Sequence, residues 1–271
     1  METCYRHPSR ETGVSCSSCG RPICPDCMTT TPVGMRCPEC ATQKTQVRTI
    51  ASLSGGDPML TYVLIGINVL MYFGSRSGGS AFNDLVLAGL PVADGELWRL
   101  VTGGFLHGGL LHLAFNMYLL YILGGMLEPS LGKLRFGAIY FTSLLTGALG
   151  AILLTEPTQG TVGASGAVFG LMGAALVFLR ARGIDPMQSG LLPMILLNLA
   201  ISFIPGLNIS IGGHLGGLAG GLLTGWIVTR LAARRSNPLI PVAACAVIAV
   251  AAVGVAYAFA NAQVDSLQLG L

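Results

Sequence analysis

The stretch "GGHLGGLAGGLLTG", residues 212–225, places a glycine at every fourth position from Gly213 onward within a hydrophobic run. Residues four apart lie on one face of a helix, so these glycines form a ridge without side chains. Such ridges let two membrane helices approach closely. An earlier run carries Gly166, Gly170 and Gly173. We therefore expect these two runs to be helices in close contact.

The composition of the chain is that of a polytopic membrane protein. Hydrophobic residues make up 52% of the 271 residues and charged residues only 10%, whereas a soluble domain has about 25% charged residues. This composition gives no indication of nucleic-acid binding. Seven hydrophobic runs are long enough to cross a bilayer, the fourth and fifth of them only marginally. They span about 58–74, 109–127, 134–155, 164–180, 190–204, 210–230 and 239–260.

Lysine and arginine residues are concentrated in alternate connections between these runs. Because such connections stay in the cytoplasm, the amino terminus is predicted inside and the carboxyl terminus outside. No cleavable signal peptide is predicted, and the Ala- and Gly-rich helices favour a bacterial cell membrane. The cations predicted to be cytoplasmic are Lys44, Arg48, Lys133, Arg135, Arg180, Arg182, Arg230, Arg234 and Arg235, against Arg76 and Arg99 on the outer side.

The chain divides into four predicted segments. A polar, cysteine-rich module comes first and is followed by a linker, a core of six membrane helices, and a seventh helix with a short tail. The predicted boundaries are 1–42, 43–57, 58–236 and 237–271.

The amino-terminal module contains four pairs of metal-ligand residues, each pair separated by two residues. Eight ligands make two tetrahedral sites with no open position, which predicts two structural zinc ions and no metal catalysis. A disulfide knot is the alternative, but it needs an oxidising compartment. Which pairs share an ion stays open at this point. The ligands are Cys4, His7, Cys16, Cys19, Cys24, Cys27, Cys37 and Cys40.

Three predicted membrane helices begin with polar residues at one depth. His107 and His112 lie near the start of the second helix, Ser165 at the start of the fourth and His214 near the start of the sixth. These helices run in the same direction, so the four side chains share a layer near the outer face. Polar groups at membrane depth are costly and usually mark function.

This layer can be assembled into a serine hydrolase site. Ser165 is the candidate nucleophile and His214 the candidate base, which requires the hydroxyl and the imidazole to approach within hydrogen-bond distance. His112 and Asn116 share a helix face and, with the amide of Ser165, are candidate donors to an oxyanion. No Asp or Glu lies near this layer, which favours a dyad over a triad.

From about residue 58 to 230 the chain resembles the rhomboid intramembrane serine proteases. The resemblance is carried by Trp98-Arg99, "HGGLLHLAFN", Glu128 after "LGG", "GASG" around Ser165 and "GGHLGGLAGG" around His214. It implies the same roles for the serine, the histidine and the oxyanion donors. Its supporting positions here are Gly163, Gly166, His107, Phe169, Trp98, Arg99, Glu128 and Gly217.

The chain departs from the family pattern at two positions. Phe169 stands where some members have a tyrosine that stacks on the base, and Ser130 replaces an arginine, which leaves the partner of Glu128 undefined. In the zinc module, an interleaved arrangement resembles B-box-type fingers. It would place Cys4/His7 with Cys24/Cys27, and Cys16/Cys19 with Cys37/Cys40.

The predicted function is intramembrane cleavage, near the outer face, of transmembrane segments of other membrane proteins, without a catalytic cofactor. Segments rich in weak helix formers are the expected substrates, because they unwind locally. The alternative is a non-catalytic membrane adaptor that binds client helices while the zinc module recruits a cytoplasmic partner. A proton-coupled transporter ranks last, because it predicts acidic residues deep in the bundle, whereas Glu128 lies at the cytoplasmic end of its helix.

Overall fold

A computed structural model describes residues 2–42, 56–75, 79–204, 209–233, 237 and 239–269. The chain forms two compact units, Met1–Thr49 and Ile50–Leu271. Most of the predicted linker lies outside the described residues. So do five of the cations used to predict orientation, namely Lys44, Arg48, Arg76, Arg234 and Arg235.

The small unit consists of two β-hairpins and a short helix. Its core consists of six cysteines and Ile23, with Tyr5 and Met28 packed against them. So small a segment cannot bury enough apolar surface to fold on that basis alone. The elements are β1 (Glu2–Cys4) paired with β2 (His7–Thr12), a 3-10 turn (Pro25–Cys27), β3 (Thr29–Thr31) paired with β4 (Gly34–Arg36), and α1 (Pro38–Thr42).

The large unit is helical, and each of the seven predicted runs corresponds to a helix. Four of these, α6, α7, α10 and α11, are long and apolar enough to cross a membrane, while α2, α8 and α9 are shorter apolar helices. The bounds are α2 (Met59–Gly74), α6 (Leu110–Leu131), α7 (Lys133–Leu154), α8 (Ser165–Ala181), α9 (Leu191–Ile201), α10 (Ile211–Ala233) and α11 (Leu239–Leu269). The last helix extends nine residues beyond its predicted end.

The predicted contact between the two glycine-bearing helices is present. A Cβ atom on Gly217 of α10 would lie only 2.0 Å from the carbonyl oxygen of Gly166 on α8. One turn later, a Cβ atom on Gly221 would lie 1.9 Å from the carbonyl oxygen of Gly170. Any side chain at these positions would separate the backbones, so the glycines set the distance between α8 and α10.

A second glycine face on α10 packs against α7. A Cβ atom on Gly212 would lie 2.1 Å from the carbonyl oxygen of Gly150, and one on Gly216 would lie 2.3 Å from that of Thr146. The helix is thus held between α7 and α8, with backbone against backbone on both sides. This central position fixes where the start of α10, and with it His214, lies.

The connection between α2 and α6 contains three short helices, α3 (Ser80–Asn83), α4 (Gly89–Ala93) and α5 (Arg99–Thr102), and a 3-10 turn (Gly103–Phe105). Arg99 organises this connection from a buried position. Its guanidinium donates to the Glu96 carboxylate at 2.5 Å and to the carbonyl oxygens of Asn83 and Val86 at 2.5 and 3.0 Å. An ion pair with several hydrogen bonds at a buried site restrains a loop strongly.

The seventh helix packs against α7 and α4. Its Ala256 and Ala260 are fully buried in a cluster with Val92 of α4 and Ala151 of α7. A buried hydrogen bond of 3.1 Å runs from the Thr142 hydroxyl of α7 to a backbone carbonyl of α11. The seventh helix is therefore an integral part of the large unit.

Candidate active site and metal centres

Ser165 is the first residue of α8, and the loop before it is held by the connection that precedes α6. Thr161 and Leu87 exchange two backbone hydrogen bonds of 2.7 and 3.3 Å, and the Gly163 amide donates to the Gly103 carbonyl at 3.0 Å. The serine is thus placed at a helix amino terminus by main-chain bonds on its approach. Such a terminus presents free N–H groups to a nearby anion.

Gly163 lies next to the side chains of both Ser165 and His112. Its φ angle is +128°, in the region that favours glycine. A Cβ atom there would lie 2.8 Å from Nε2 of His112 and 3.7 Å from Oγ of Ser165. The absence of a side chain at residue 163 is therefore needed both for the backbone turn and for the imidazole to reach the serine.

His214 of α10 is stacked on Phe169, and Phe169 lies one turn after Ser165 on α8. The two rings are 4.1 Å apart between centroids and inclined by 21°. Ser165 and Phe169 are four residues apart and so lie on the same face of the helix. The stack therefore holds the imidazole on the face that carries the serine.

Ser202 contacts the edge of the His214 ring, while Phe169 stacks on its face. Its Nδ1 atom lies 2.6 Å from the hydroxyl oxygen of Ser202, at the end of α9. Both side chains are buried. Among the described residues, the Ser165 hydroxyl makes no hydrogen bond to His214 or to any other group, while His214 contacts Ser202.

The predicted donors His112 and Asn116 lie on α6, and the supporting residue His107 precedes that helix. The Asn116 amide donates one hydrogen bond of 2.9 Å to the His112 carbonyl, which leaves its second N–H available. His107 is buried and meets the ring of His112 edge-on at 5.1 Å. Within the described part of the chain, neither ring nitrogen of His107 has a hydrogen-bond partner.

A small cavity adjoins Ser165 on the side of α7. Its volume is about 30 Å³, and Gly103, Gly163, Ser165 and Ser210 contribute to its lining. A space of this size holds a water molecule where polar groups are available to bond it. The serine thus has room for water beside it.

Three predicted supporting residues lie away from this centre. Trp98 is 53% exposed and donates from Nε1 to the Asp84 carbonyl at 3.3 Å, while Arg99 organises the connection before α6. Glu128 is buried at the amino terminus of α2. Its carboxylate accepts from the amides of Leu60 and Thr61 at 2.8 and 2.7 Å and from the Thr61 hydroxyl at 2.7 Å.

The partner of Glu128 is therefore a helix terminus rather than an ion-pair residue. A carboxylate at this position satisfies free N–H groups and interacts favourably with the helix dipole. This partner could not be predicted from the sequence, because every residue except proline has a backbone amide. The start of the hydrophobic run at about residue 58 was the available indication.

The small unit brings its eight predicted ligands together as two groups of four. The first is Cys4, His7, Cys24 and Cys27, and the second is Cys16, Cys19, Cys37 and Cys40. This is the interleaved arrangement that the B-box-like spacing implied. Within each group the ligand atoms all lie within 4.8 Å of one another, so either group can hold a metal ion.

The spacing of the ligand atoms fits tetrahedral coordination. Ligands about 2.3 Å from a tetrahedral ion lie about 3.7 Å from one another. The Sγ atoms of Cys24 and Cys27 lie 3.3 and 3.4 Å from Nδ1 of His7, and those of Cys19 and Cys37 lie 3.8 Å apart. A disulfide requires about 2.05 Å between sulfur atoms, and the described cysteines are all unpaired.

One thiol of the second group accepts a hydrogen bond from the backbone. The backbone amide of Cys37 donates to Sγ of Cys16 at 3.3 Å and lowers the pKa of that thiol to about 6. The thiolate is the form that binds metal.

The comparisons with known proteins identify the large unit. Residues 94–231 match the family model described as Rhomboid domain. The chain belongs to the rhomboid family. The matched rhomboid residues include Ser165, His214, His112 and Asn116.

Individual rhomboid relatives cover different parts of the chain. The rhomboid protease GluP of Bacillus subtilis is 34% identical over 194 residues, which are 66% of this chain and 37% of GluP. YdcA, a rhomboid relative from the same organism, is 36% identical over 184 residues, or 66% of this chain and 92% of YdcA. RHOMBOID-like protein 5 of Arabidopsis thaliana is 39% identical over 143 residues, or 51% of this chain and 46% of that protein.

This rhomboid chain is therefore a membrane protein with a helical rhomboid domain and a Cys/His-rich module at its amino terminus. It spans little more than a third of the length of GluP and about half of the Arabidopsis relative.

Proposed function

We propose that this protein is an intramembrane serine endopeptidase that cleaves transmembrane segments of other membrane proteins. The observation that carries the proposal is the assembly around Gly163, where Ser165 Oγ and His112 Nε2 flank one point. His214 lies on the same face of α8, stacked on Phe169. A nucleophile, a base and an anion donor are thereby brought to one helix end.

In the proposed reaction, His214 takes the proton of the Ser165 hydroxyl as its oxygen attacks a peptide carbonyl. The developing oxyanion is stabilised by the amide of Ser165, the Nε2–H of His112 and the free N–H of Asn116. The hydrogen bond between a serine nucleophile and its base is often long before substrate binds and shortens in the reactive complex. The unengaged hydroxyl of Ser165 is compatible with such a resting state.

The acyl-enzyme formed in this way is hydrolysed by water. The cavity beside Ser165 offers a place for one water molecule close to the acyl carbonyl. His214 returns its proton to the leaving amine and then activates the water. Neither step needs a metal or an organic cofactor.

The proposed substrates are membrane segments that unwind near the outer face. A helix hides its carbonyls in internal hydrogen bonds, so Gly and other weak helix formers near the cleaved bond make attack easier. We place the amino terminus in the cytoplasm and the carboxyl terminus outside, on the distribution of Lys and Arg. This orientation requires seven crossings, with the shorter α2, α8 and α9 crossing together with the four long apolar helices.

We also propose that each Cys/His group binds one structural zinc ion and that the module recruits a cytoplasmic protein. Four ligands at tetrahedral spacing support zinc in the first part of this proposal. Metal analysis of the purified chain tests it and is expected to return two zinc ions per chain. A value well below two would contradict the ligand assignment.

Protease and adaptor are separated by one assay on the full chain in detergent. Wild type is incubated with a model transmembrane substrate beside Ser165→Ala and His214→Ala, and each is also treated with a serine-reactive fluorophosphonate. We expect cleavage and labelling in wild type and neither in Ser165→Ala. Cleavage that survives in either variant would exclude the proposed dyad, and an inactive, unlabelled wild type would favour the adaptor.

A further inference from the structure

Ser202 occupies a buried position between α9 and the candidate base. It directly follows α9, is 5% exposed, and its hydroxyl oxygen lies 2.6 Å from Nδ1 of His214. The same oxygen lies 3.1 Å from the carbonyl oxygen of Asn198, one helical turn earlier. The serine hydroxyl therefore contacts two partners, and it has only one proton to donate.

The second contact decides where that proton goes. A carbonyl oxygen can only accept, so both contacts are hydrogen bonds only when the hydroxyl of Ser202 donates to Asn198. Its oxygen then accepts a hydrogen bond from Nδ1–H of His214. A neutral imidazole carries a single N–H, so Nε2 is left without a proton. This is the tautomer that a base needs if Nε2 is to receive the proton of Ser165.

The opposite tautomer satisfies fewer groups. If the Ser202 hydroxyl donated to Nδ1, the contact with the Asn198 carbonyl would join two acceptors. Nε2 would then carry the proton and could not accept another. Ring orientation is fixed at the same time, because Phe169 stacks on the face of the imidazole while Ser202 holds its edge.

We propose that Ser202 is a positioning residue that holds His214 in the Nδ1–H tautomer and in the orientation required of the base. This inference rests on the proposed function of His214 and adds a third member to the Ser165 and His214 pair. When His214 takes the serine proton it becomes charged, and its Nδ1–H bond to Ser202 becomes a charge-assisted hydrogen bond. A hydroxyl thus does at this site what a carboxylate does in a triad.

The tautomer can be measured without any activity. The full chain is labelled with ¹⁵N-histidine, and long-range ¹H–¹⁵N spectra are recorded in detergent micelles. With only four histidines in the sequence, the signal of His214 is assigned by its loss in His214→Ala. We expect a single Nδ1–H tautomer in wild type and in Ser202→Thr, and a mixture of tautomers in Ser202→Ala. An Nε2–H tautomer in wild type would overturn the proposal, whether or not any variant folds.

The kinetic arm uses a matched control. Ser75 follows α2 as Ser202 follows α9, and its hydroxyl donates to the carbonyl oxygen one turn earlier at 2.5 Å. Among the described residues it makes no hydrogen bond to Ser165 or His214. We expect Ser202→Ala to lower kcat about tenfold, the value for loss of one hydrogen bond to a charged group, with KM within about twofold. Ser202→Thr and Ser75→Ala are expected to stay within about threefold of wild type.

The outcomes separate this inference from the proposed function. Equal kcat in Ser202→Ala and Ser75→Ala, with an unchanged tautomer, would refute the role of Ser202. An Nδ1–H tautomer that depends on Ser202 in a protein that cleaves no substrate would leave the contact standing and remove the protease. A parallel fall in the thermal midpoints of both variants would indicate helix capping alone.

Discussion

Removing the carboxylate of Glu128 should destabilise the large unit without touching the candidate active site. Glu128 accepts three hydrogen bonds at the amino terminus of α2, two from backbone amides and one from the Thr61 hydroxyl. It is 1% exposed, so water cannot replace it. Breaking these bonds leaves buried donors unsatisfied, which is the costly direction of change.

The expected loss in the free energy of unfolding can be worked out from the hydrogen bonds that Glu128 makes. Hydrogen bonds to a charged group contribute about 1.5–3 kcal/mol each and are not additive at one helix terminus. Glu128→Gln keeps one acceptor oxygen and is expected to cost about 2 kcal/mol, whereas Glu128→Ala keeps none and is expected to cost about 4 kcal/mol. At about 2–4 °C per kcal/mol for a unit of this size, the midpoints should fall by about 4–8 °C and about 8–16 °C.

Thermal unfolding followed by circular dichroism in one detergent measures this difference. Glu156→Gln is the matched control, because Glu156 is exposed in the loop between α7 and α8. It should unfold within about 1 °C of wild type, since exposed single charges contribute little. If Glu128→Ala had the same thermal midpoint as Glu156→Gln, the carboxylate would not be the cap of α2 and the reasoning would fail.

Two further changes test the helix contact and the metal groups. Gly221→Ala would place a Cβ atom 1.9 Å from a backbone carbonyl of α8 and should lower the thermal midpoint by several degrees and reduce fluorophosphonate labelling. Gly125→Ala, which meets open space in α6, should raise or preserve the midpoint, and equal behaviour of the two would contradict close packing of α8 and α10. Cys37→Ser should lower the zinc content by about one ion per chain and leave the other group loaded, as measured by metal analysis. Loss of both ions would show that the two groups do not bind independently.

Much of the helical architecture could be predicted because membrane helices and glycine ridges have strong periodic signals. The contact of Gly217 with α8 was predicted from the spacing of the glycines. The short lengths of α8 and α9 were predicted from the lengths of their hydrophobic runs. The second ridge, from Gly212 through Gly216, lies one residue earlier in the same stretch and was not identified. Its significance depends on α7 passing on that side, which no local pattern states.

The metal groups and the candidate base illustrate where sequence reasoning stops. Spacing identified the four ligand pairs of the small unit, but their combination depends on how β1 to β4 fold back, so the interleaving came only from a resemblance. Ser202 carried no signal, since a serine near the end of a short helix is ordinary. Its contact with His214 depends on the end of α9 meeting the start of α10. Glu128 was recognised, yet its backbone partners were not.

The position of α11 has a consequence for the space behind the nucleophile. Ala148 and Ala151 of α7 line the small cavity and belong to the cluster that buries Ala256 and Ala260. The seventh helix therefore packs on the side of α7 that adjoins this pocket. In the proposed protease it would shield the water site from lipid on that side, and a six-helix core would need another way to do so.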